Sequence, residues 1–250
     1  MKRGFILAAL LTLGTVGTAS AASITQNTNL GSVYNTTAVE ESTWGGEMGG
    51  MTVVATLIRQ DNTTFNLNGV WVDGAFGVAG GVQWMTGDTD DNFNLWVLGD
   101  TFFSSWNLNI DFDSTNYRLG SLAFNGAPGN TVFDTGFGGA TGTAGSSLGH
   151  DFSGFDPYSG NITATYFNAV SLNGAAPVGD LYANFLLTFG NGSWNQGLNE
   201  RRNGYNFVLD TDNARGLTPP SVPEPGSMIL LGTGLASLAG AARRRLKNRK

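Results

Sequence analysis

The chain has 250 residues, of which 41% are apolar, and it contains 16 Phe, 6 Trp and 6 Tyr residues. This composition is sufficient for a buried core, which excludes a wholly disordered chain. Cysteine is absent, so disulfides, thiolate metal sites and cysteine nucleophiles are excluded. Glycine contributes 37 residues, about twice its usual share, and favours tight turns between short strands.

The formal net charge of −6 conceals an uneven distribution of charge. Lys2 and Arg3 lie at the start, and six of the last eight residues are basic. Residues 4–223 hold 18 acidic residues against five arginines and no lysine, which gives this part a net charge of −13. Such a surface repels phosphates, so nucleic acid is excluded as a partner, whereas cations and neutral glycans are compatible with it.

The first segment has the parts of a secretory signal. Lys2 and Arg3 precede an apolar run over residues 4–16, and Ala19 and Ala21 match the small-x-small cleavage pattern. We therefore assign residues 1–21 to a signal helix that is cleaved after Ala21, with cleavage after Ala22 as the second choice. The apolar run is shorter than the ~20 residues that span a bilayer, which disfavours an uncleaved anchor.

The end of the chain also has three parts in order. Pro223, Glu224 and Pro225 come first, and residues 226–242 then carry no charge before the basic cluster. A helix of this length measures roughly 25 Å, and arginines that reach toward the interface compensate for the difference from a ~30 Å hydrocarbon core. The positive-inside rule keeps the basic end cytoplasmic. Residues 226–242 are therefore predicted to be a transmembrane helix that tethers an external body.

This arrangement closely resembles the PEP-CTERM sorting signal of Gram-negative bacteria. The resemblance covers about the last 28 residues and is carried by the uncharged stretch and by six residues: Pro223, Glu224, Pro225, Arg243, Arg244 and Arg245. It implies that exosortase, a membrane protease-transferase, recognises the tail and removes it, releasing the protein or passing it to another anchor. An ordinary C-terminal membrane anchor is the alternative interpretation.

The residues between the two ends repeat with a period of two rather than 3.6. In 106–113, for example, Trp106 and Leu108 alternate with Asn107 and Asn109. Further strands are predicted at 51–59, 64–72, 78–85, 93–98, 117–124, 162–172, 181–189 and 205–209. The pattern predicts an all-β fold, an antiparallel β-sandwich with jelly-roll-like connectivity, flanked by the signal helix and the C-terminal apolar helix.

The predicted domain organisation follows from these boundaries. The sandwich is an ectodomain over residues 22–218, a Pro-rich spacer covers 219–225, and the sorting tail covers 223–250. Within the ectodomain, residues 134–160 are rich in glycine and poor in apolar residues, which predicts a long loop or a loop-strand-loop. Long loops in compact domains are often functional or disordered.

Two short motifs suggest catalysis, but neither is complete. Asp134-Thr135-Gly136 is similar to an aspartic protease loop, yet a second copy is missing and Phe137 follows it. His150 and Asp151 follow Ser146 and Ser147, although such close neighbours in sequence seldom form a triad. A glycosidase needs two opposed carboxylates, and the sequence does not show which of its acids meet. We therefore assign no catalytic residue and expect the protein not to be an enzyme.

Pairs and triplets of aspartates are the candidate cation ligands, and Ca²⁺ is the one cofactor we consider. They are Asp88, Asp90 and Asp91, then Asp111 and Asp113, and finally Asp210 and Asp212. The 12-residue helix-loop-helix calcium pattern is absent, so we expect solvated carboxylates at turns and strand edges. A calcium site in the 88–92 loop is the alternative.

Tryptophan side chains are the candidate sugar ligands, because a flat indole stacks on pyranose rings. Trp71 and Trp106 alternate with polar residues and are predicted to be core residues. Trp44 and Trp194 follow or precede glycine-rich turns and are the candidates for an exposed glycan site.

The sequence leads to one preferred function and two alternatives. We expect a non-enzymatic surface or matrix protein that is processed by exosortase and works in the extracellular polymer layer, with extracellular polysaccharide as a further partner. A carbohydrate- or calcium-binding β-sandwich module is the first alternative. A secreted hydrolase is the second.

Overall fold

A computed structural model of the protein describes residues 22–41, 43–77, 79–86, 92–111, 116–137, 140–156, 158, 160–191, 197–198 and 202–220. The predicted signal at 1–21 and the tail from residue 221 onward lie outside the described residues. Strands and three-residue 3-10 helices occur in this order: β1 Ser23–Asn29, β2 Tyr34–Thr36, β3 Ala38–Glu40, η1 Gly45–Glu47, β4 Thr52–Ile58, β5 Thr64–Val70, β6 Val72–Asp73, η2 Ala75–Gly77, β7 Gly80–Met85, β8 Asn92–Val97, β9 Trp106–Asp111, β10 Arg118–Asn125, η3 Ala127–Gly129, β11 Thr131–Asp134, β12 Ser153–Asp156, β13 Asn161–Leu172, β14 Leu181–Phe189, β15 Arg202–Val208 and β16 Thr211–Arg215.

The strands form two sheets, which confirms the all-β prediction. The larger sheet has ten strands, and its main path runs β3-β16-β11-β14-β10-β4-β5. One edge of β14 pairs with β13, while its other edge pairs with β11 and then β10. The smaller sheet is antiparallel and runs β12-β15-β9-β8-β7-β6. Pairing in the larger sheet is mainly antiparallel, although β1 and β2 join β13 in parallel.

The alternation of apolar and polar residues explains why these segments form strands. In β8 and β9 every second residue is buried, as the period of two predicts. All nine strands predicted from the sequence are present, with ends that differ by a few residues. Six strands carry too few apolar residues to show a period and were not predicted: β1, β2, β3, β6, β11 and β16. Strand β12 lies in the segment predicted as a long loop or a loop-strand-loop.

One aromatic core joins the two sheets, in agreement with a sandwich. The indole of Trp106 is fully buried, and its N–H donates to the Leu209 carbonyl at 2.6 Å. Its ring contacts Phe124 of the larger sheet and Phe207 of the smaller one, at centroid distances of 6.1 and 5.9 Å. Trp71 is also buried, 5.2 Å from Trp106. The prediction that Trp71 and Trp106 are core residues is therefore confirmed, whereas the jelly-roll connectivity stays a prediction.

A second, smaller apolar cluster lies on the other face of the larger sheet. Its buried members are Val39, Val132, Val170, Leu181, Ala183, Ala214 and Leu217. The glycine-rich segment, predicted as a long loop or a loop-strand-loop, contains the short strand β12. The part before β12 passes close over this face, where a Cβ on Gly145 would stand 2.8 Å from the Val39 carbonyl oxygen. The loop is thus packed against the sheet.

The described helices are three 3-10 turns, and none of the described residues forms a helix long and apolar enough to cross a membrane. The two helices predicted to flank the sandwich fall at positions that the structure does not describe. Their prediction is therefore untested by the fold.

Removing the central indole tests the shared core. We expect Trp106→Ala to lower the free energy of unfolding by about 3–5 kcal/mol, since it leaves a large cavity and an unpaired Leu209 carbonyl. Trp44→Ala is the matched control: its side chain is 54% exposed, so a change within about 0.5 kcal/mol is expected. Urea unfolding measures both, and equal losses for the two variants would contradict this description of the core.

Candidate functional site

Four buried aspartates gather at one end of the larger sheet. Asp134 ends β11, Asp180 precedes β14, and Asp210 and Asp212 lie just before and within β16. Each has 3% or less of its surface exposed. The expectation that Asp210 and Asp212 are solvated is therefore wrong, because the neighbouring strands and the glycine-rich loop cover them.

Strand register explains why Asp134 and Asp212 meet. Strands β11 and β16 are antiparallel, with Val132 opposite Asp212 and Phe133 opposite Thr211. Directly opposite residues point to the same face, and alternate residues along a strand share a face. Asp134 and Asp212 are thus diagonal neighbours on the face of Val132, while Phe133 points into the aromatic core.

The glycine-rich loop contributes hydroxyl and amide donors to this face. Thr143 donates to Asp180 from its hydroxyl at 2.7 Å and from its backbone N–H, and the His150 N–H donates to Asp210 at 3.3 Å. Gly149 lies directly against Asp134, where a Cβ would stand 2.7 Å from the carboxyl carbon and the carbonyl oxygen. A glycine at this position lets the loop approach so closely.

Ser146 connects the two diagonal aspartates. Its hydroxyl oxygen lies 3.1 Å from Oδ2 of Asp134, and it also hydrogen-bonds Oδ2 of Asp212. The same oxygen lies 2.9 Å from the carbonyl of Ser147. Three acceptor oxygens therefore converge on one serine hydroxyl.

The four carboxylates differ in how well they are satisfied. Asp210 accepts bonds from the Thr101 hydroxyl at 3.1 Å and the Thr211 N–H at 2.9 Å, in addition to the His150 N–H. Asp180 has both oxygens bonded by Thr143. In contrast, Oδ1 of Asp134 is buried and has no hydrogen-bond partner.

Protonation of the site reflects this difference. Burial, and then the charges of Asp212 and Asp210, raise the pKa of Asp134 to about 8. Burial also raises the pKa of Asp210, but hydrogen bonds from Thr101, His150 and Thr211 oppose the effect, and its pKa reaches only about 6. The neighbouring charges that act on Asp134 are those of carboxylates, and only the hydrogen bond from the described Ser146 hydroxyl opposes their effect on its pKa.

The aspartates open into a small cavity that we call the acidic pocket. Its volume is about 80 Å³, and it is lined by Glu41, Phe102, Phe103, Asp134, Ser147, Leu148, Asp210 and Asp212. The Phe102 ring centre lies 4.2 Å from that of His150, and the two ring planes are tilted by 54°. The pocket thus has an acidic floor and an aromatic rim, which suits a cation or a polar ligand with hydroxyl groups.

The structure brings together several residues that the sequence suggested separately. Asp134, Ser146, Ser147, His150 and Asp210 all lie at this pocket or on the loop above it. They do not form a triad, since the described bonds of Ser146 go to carboxylates and a carbonyl, while His150 contacts Asp210 through its backbone. The dipeptide Asp-Thr begins at residues 88, 100, 134 and 210, so it does not distinguish the aspartates of this site, and strand pairing is needed to identify them.

The other predicted site residues lie elsewhere. Trp44 is 54% exposed, as predicted, and its assignment as a glycan ligand stays a prediction. Trp194, the aspartates at 88, 90 and 91, the signal residues Ala19 and Ala21, and the sorting residues from Pro223 to Arg245 lie outside the described residues. The calcium and glycan assignments made for them stay predictions.

The pH dependence of the free energy of unfolding tests whether Asp134 is protonated in the folded protein. Because its pKa is raised in the folded protein, the folded state holds a proton that the unfolded state releases above about pH 4. In EDTA, each pH unit between about 5 and 8 is therefore expected to remove up to roughly 1.4 kcal/mol of stability through this group.

Asp134→Asn should flatten that dependence, whereas Asp156→Asn, an exposed aspartate on β12, should leave it unchanged. Urea unfolding at pH 5, 6.5 and 8 measures how stability changes with pH. All three proteins retain His150, so this residue does not account for a difference between them. Equal slopes in wild type and Asp134→Asn would show that Asp134 is not protonated in the fold.

Comparison with known proteins bears on the tail. A family model described as the PEP-CTERM protein-sorting motif matches residues 221–245. No curated protein and no solved structure matches the chain. The match confirms the resemblance noted in the sequence and indicates an exported protein that is sorted to the cell surface. The chain therefore carries a PEP-CTERM protein-sorting motif, consistent with a substrate of exosortase.

Proposed function

We propose that this chain is an exosortase-processed surface protein with a non-enzymatic, structural or binding role in the extracellular polymer layer. Residues 226–242 tether the precursor to the membrane until exosortase cleaves the tail. The sorting motif at 221–245, directly after the last described residue of the body, carries the proposal.

The end of the body supports a separation between the folded body and the sorting tail. The backbone groups of Thr218 and Asn35 bond each other in both directions, at 2.9 and 3.0 Å. The chain is thus fixed to the larger sheet as far as residue 218, and prolines follow at 219 and 220. Proline restricts the backbone to extended conformations and lacks an N–H donor, which favours a stiff spacer that presents the motif to a protease.

The contacts of the acidic pocket favour a binding role over hydrolysis. Ser146 has no described bond to the imidazole of His150, and its hydroxyl is committed to carboxylates. The five arginines among residues 4–223 are outnumbered by 18 acidic residues, which keeps the body soluble and suits neutral or cationic partners.

Carbohydrate binding is the second candidate, and exposed aromatics favour it. Trp44 and Phe103 are 54% and 83% exposed. Both flank Asp100: Trp44 pairs with it as an isolated bridge, and the Phe103 N–H donates to its carbonyl at 3.1 Å. Phe103 also lines the acidic pocket, so aromatic faces and carboxylates lie on one surface, as in many sugar sites.

Sorting is tested by changing the motif while leaving the body intact. We expect Pro225→Ala, and deletion of residues 221–250, to abolish normal surface delivery, because exosortase recognises the Pro-Glu-Pro segment. Pro225→Ala should accumulate as an uncleaved, membrane-associated precursor, and the deletion should appear outside the cell without processing. Cell fractionation and intact mass measure both outcomes.

Pro220→Ala is the matched control, since it removes a proline from the spacer and leaves the motif unchanged. It should be processed like the wild type. Identical delivery and mass for wild type and Pro225→Ala would refute the sorting function.

Glycan binding is tested with the purified full-length protein on an array of neutral and acidic polysaccharides. If the exposed aromatics stack on sugars, saturable binding is expected, and Trp44→Ala should weaken it on the order of tenfold, about 1.4 kcal/mol. Met85→Ala removes an exposed apolar side chain at the end of β7 and should leave glycan binding unchanged. Absence of saturable binding would leave the structural role.

A further inference from the structure

Beside the acidic pocket, three acceptor oxygens lie around one serine hydroxyl. Ser146 has a single hydroxyl hydrogen, yet its oxygen contacts Oδ2 of Asp134, Oδ2 of Asp212 and the Ser147 carbonyl. Ionised carboxylates and carbonyls only accept hydrogen bonds. This one hydrogen can satisfy only one of the three contacts at a time, and two ionised carboxylates this close together repel one another.

The carboxylate of Asp134 independently shows a shortage of hydrogen-bond donors. It is 2% exposed and lines the acidic pocket, and its Oδ1 has no hydrogen-bond partner. A buried polar atom without a partner costs about 1–3 kcal/mol, and more when it is charged. The neighbouring Asp210 and Asp180 are instead bonded by N–H and O–H donors, so the shortage is specific to the part of the pocket around Asp134.

Two species can neutralise such a group: a proton or a metal cation. The described partners of Asp134 are oxygen atoms, and hard cations prefer carboxylate, hydroxyl and carbonyl oxygens. The cavity of about 80 Å³ has room for an ion with water, given that a water molecule occupies about 30 Å³ in the liquid. An exported protein also meets far more free Ca²⁺ than a cytoplasmic one.

We propose that Asp134, Asp212 and the Ser146 hydroxyl bind a divalent cation, Ca²⁺, in the acidic pocket. Calcium accepts six to eight oxygen ligands in irregular geometry, whereas Mg²⁺ requires near-ideal octahedral positions. Softer metals would use imidazole or thiolate, but the chain has no cysteine, and the ring of its one histidine, His150, packs against Phe102.

This site differs from a preformed metal centre. Among the described residues, no group of three or more His, Cys, Asp or Glu side chains is positioned to hold a metal ion. The proposed shell therefore uses two carboxylates and a serine hydroxyl, and water molecules complete it. Such a shell predicts modest affinity, on the order of 10⁻⁴ to 10⁻³ M, as in extracellular calcium modules.

Binding would fix the glycine-rich loop to the sheet. Asp212 lies on β16, Asp134 ends β11, and Ser146 lies on the loop, so one ion would connect three segments. Gly149 already places the loop against Asp134. The aromatic rim formed by Phe102 and Phe103 would then be held in position as well.

The test compares calcium responses of the purified full-length protein after EDTA treatment. Calcium at about 5 mM should raise the melting temperature of wild type by several degrees, and titration calorimetry should show one site. Asp134→Asn and Ser146→Ala should lose the shift or weaken binding at least about tenfold. Asp134→Asn should also be at least as stable as wild type in EDTA, since the neutral amide needs no counter-charge.

Asp156→Asn is the matched control, because it removes an equal charge from the exposed strand β12 and should respond like wild type. Asp90→Asn separates this site from the loop at 88–92. Absence of any calcium shift in wild type would overturn the proposal, as would a shift that persists in Asp134→Asn. A shift that is lost in Asp90→Asn and kept in Asp134→Asn would assign calcium to that loop instead.

Discussion

The antiparallel pairing of β11 with β16 is the constraint on which the candidate site depends. It joins two short segments that are far apart in the sequence and sets Phe133 opposite Thr211. That register directs Phe133 into the aromatic core and leaves Asp134 and Asp212 on the opposite face. A shift by one residue would exchange the two faces and bury the phenylalanine among the carboxylates, so the core and the acidic pocket stabilise the same register.

The glycine-rich loop completes the pocket because its residues are small. Serine and threonine hydroxyls at Thr143 and Ser146 reach the carboxylates over a short distance, and Gly149 allows the backbone itself to contact Asp134. Larger residues would hold the loop away from the sheet. Its composition, which suggests disorder when considered alone, is what a segment that packs closely over a polar surface requires.

The sorting motif and the folded body occupy different parts of the chain. The sorting motif occupies residues 221–245, beyond the point where Thr218 is bonded to the larger sheet. Its basic residues and the acidic body therefore belong to different parts of the chain. The body carries an excess of acidic residues that suits cations and neutral polymers, whereas six of the last eight residues of the tail are basic.

The sorting motif, the all-β class and the core tryptophans could be predicted from the sequence, because they depend on local order: a short motif, a period of two, and indoles that alternate with polar residues. Asp134, the pair Ser146 and His150, and the pair Asp210 and Asp212 also stood out in the sequence, but as separate candidates. Their proximity, and the burial of Asp210 and Asp212, became evident only in the folded protein. The physical reason is that long-range strand pairing, which short polar strands such as β11 and β16 do not reveal in their hydrophobic pattern, fixes which distant carboxylates share one face of a sheet.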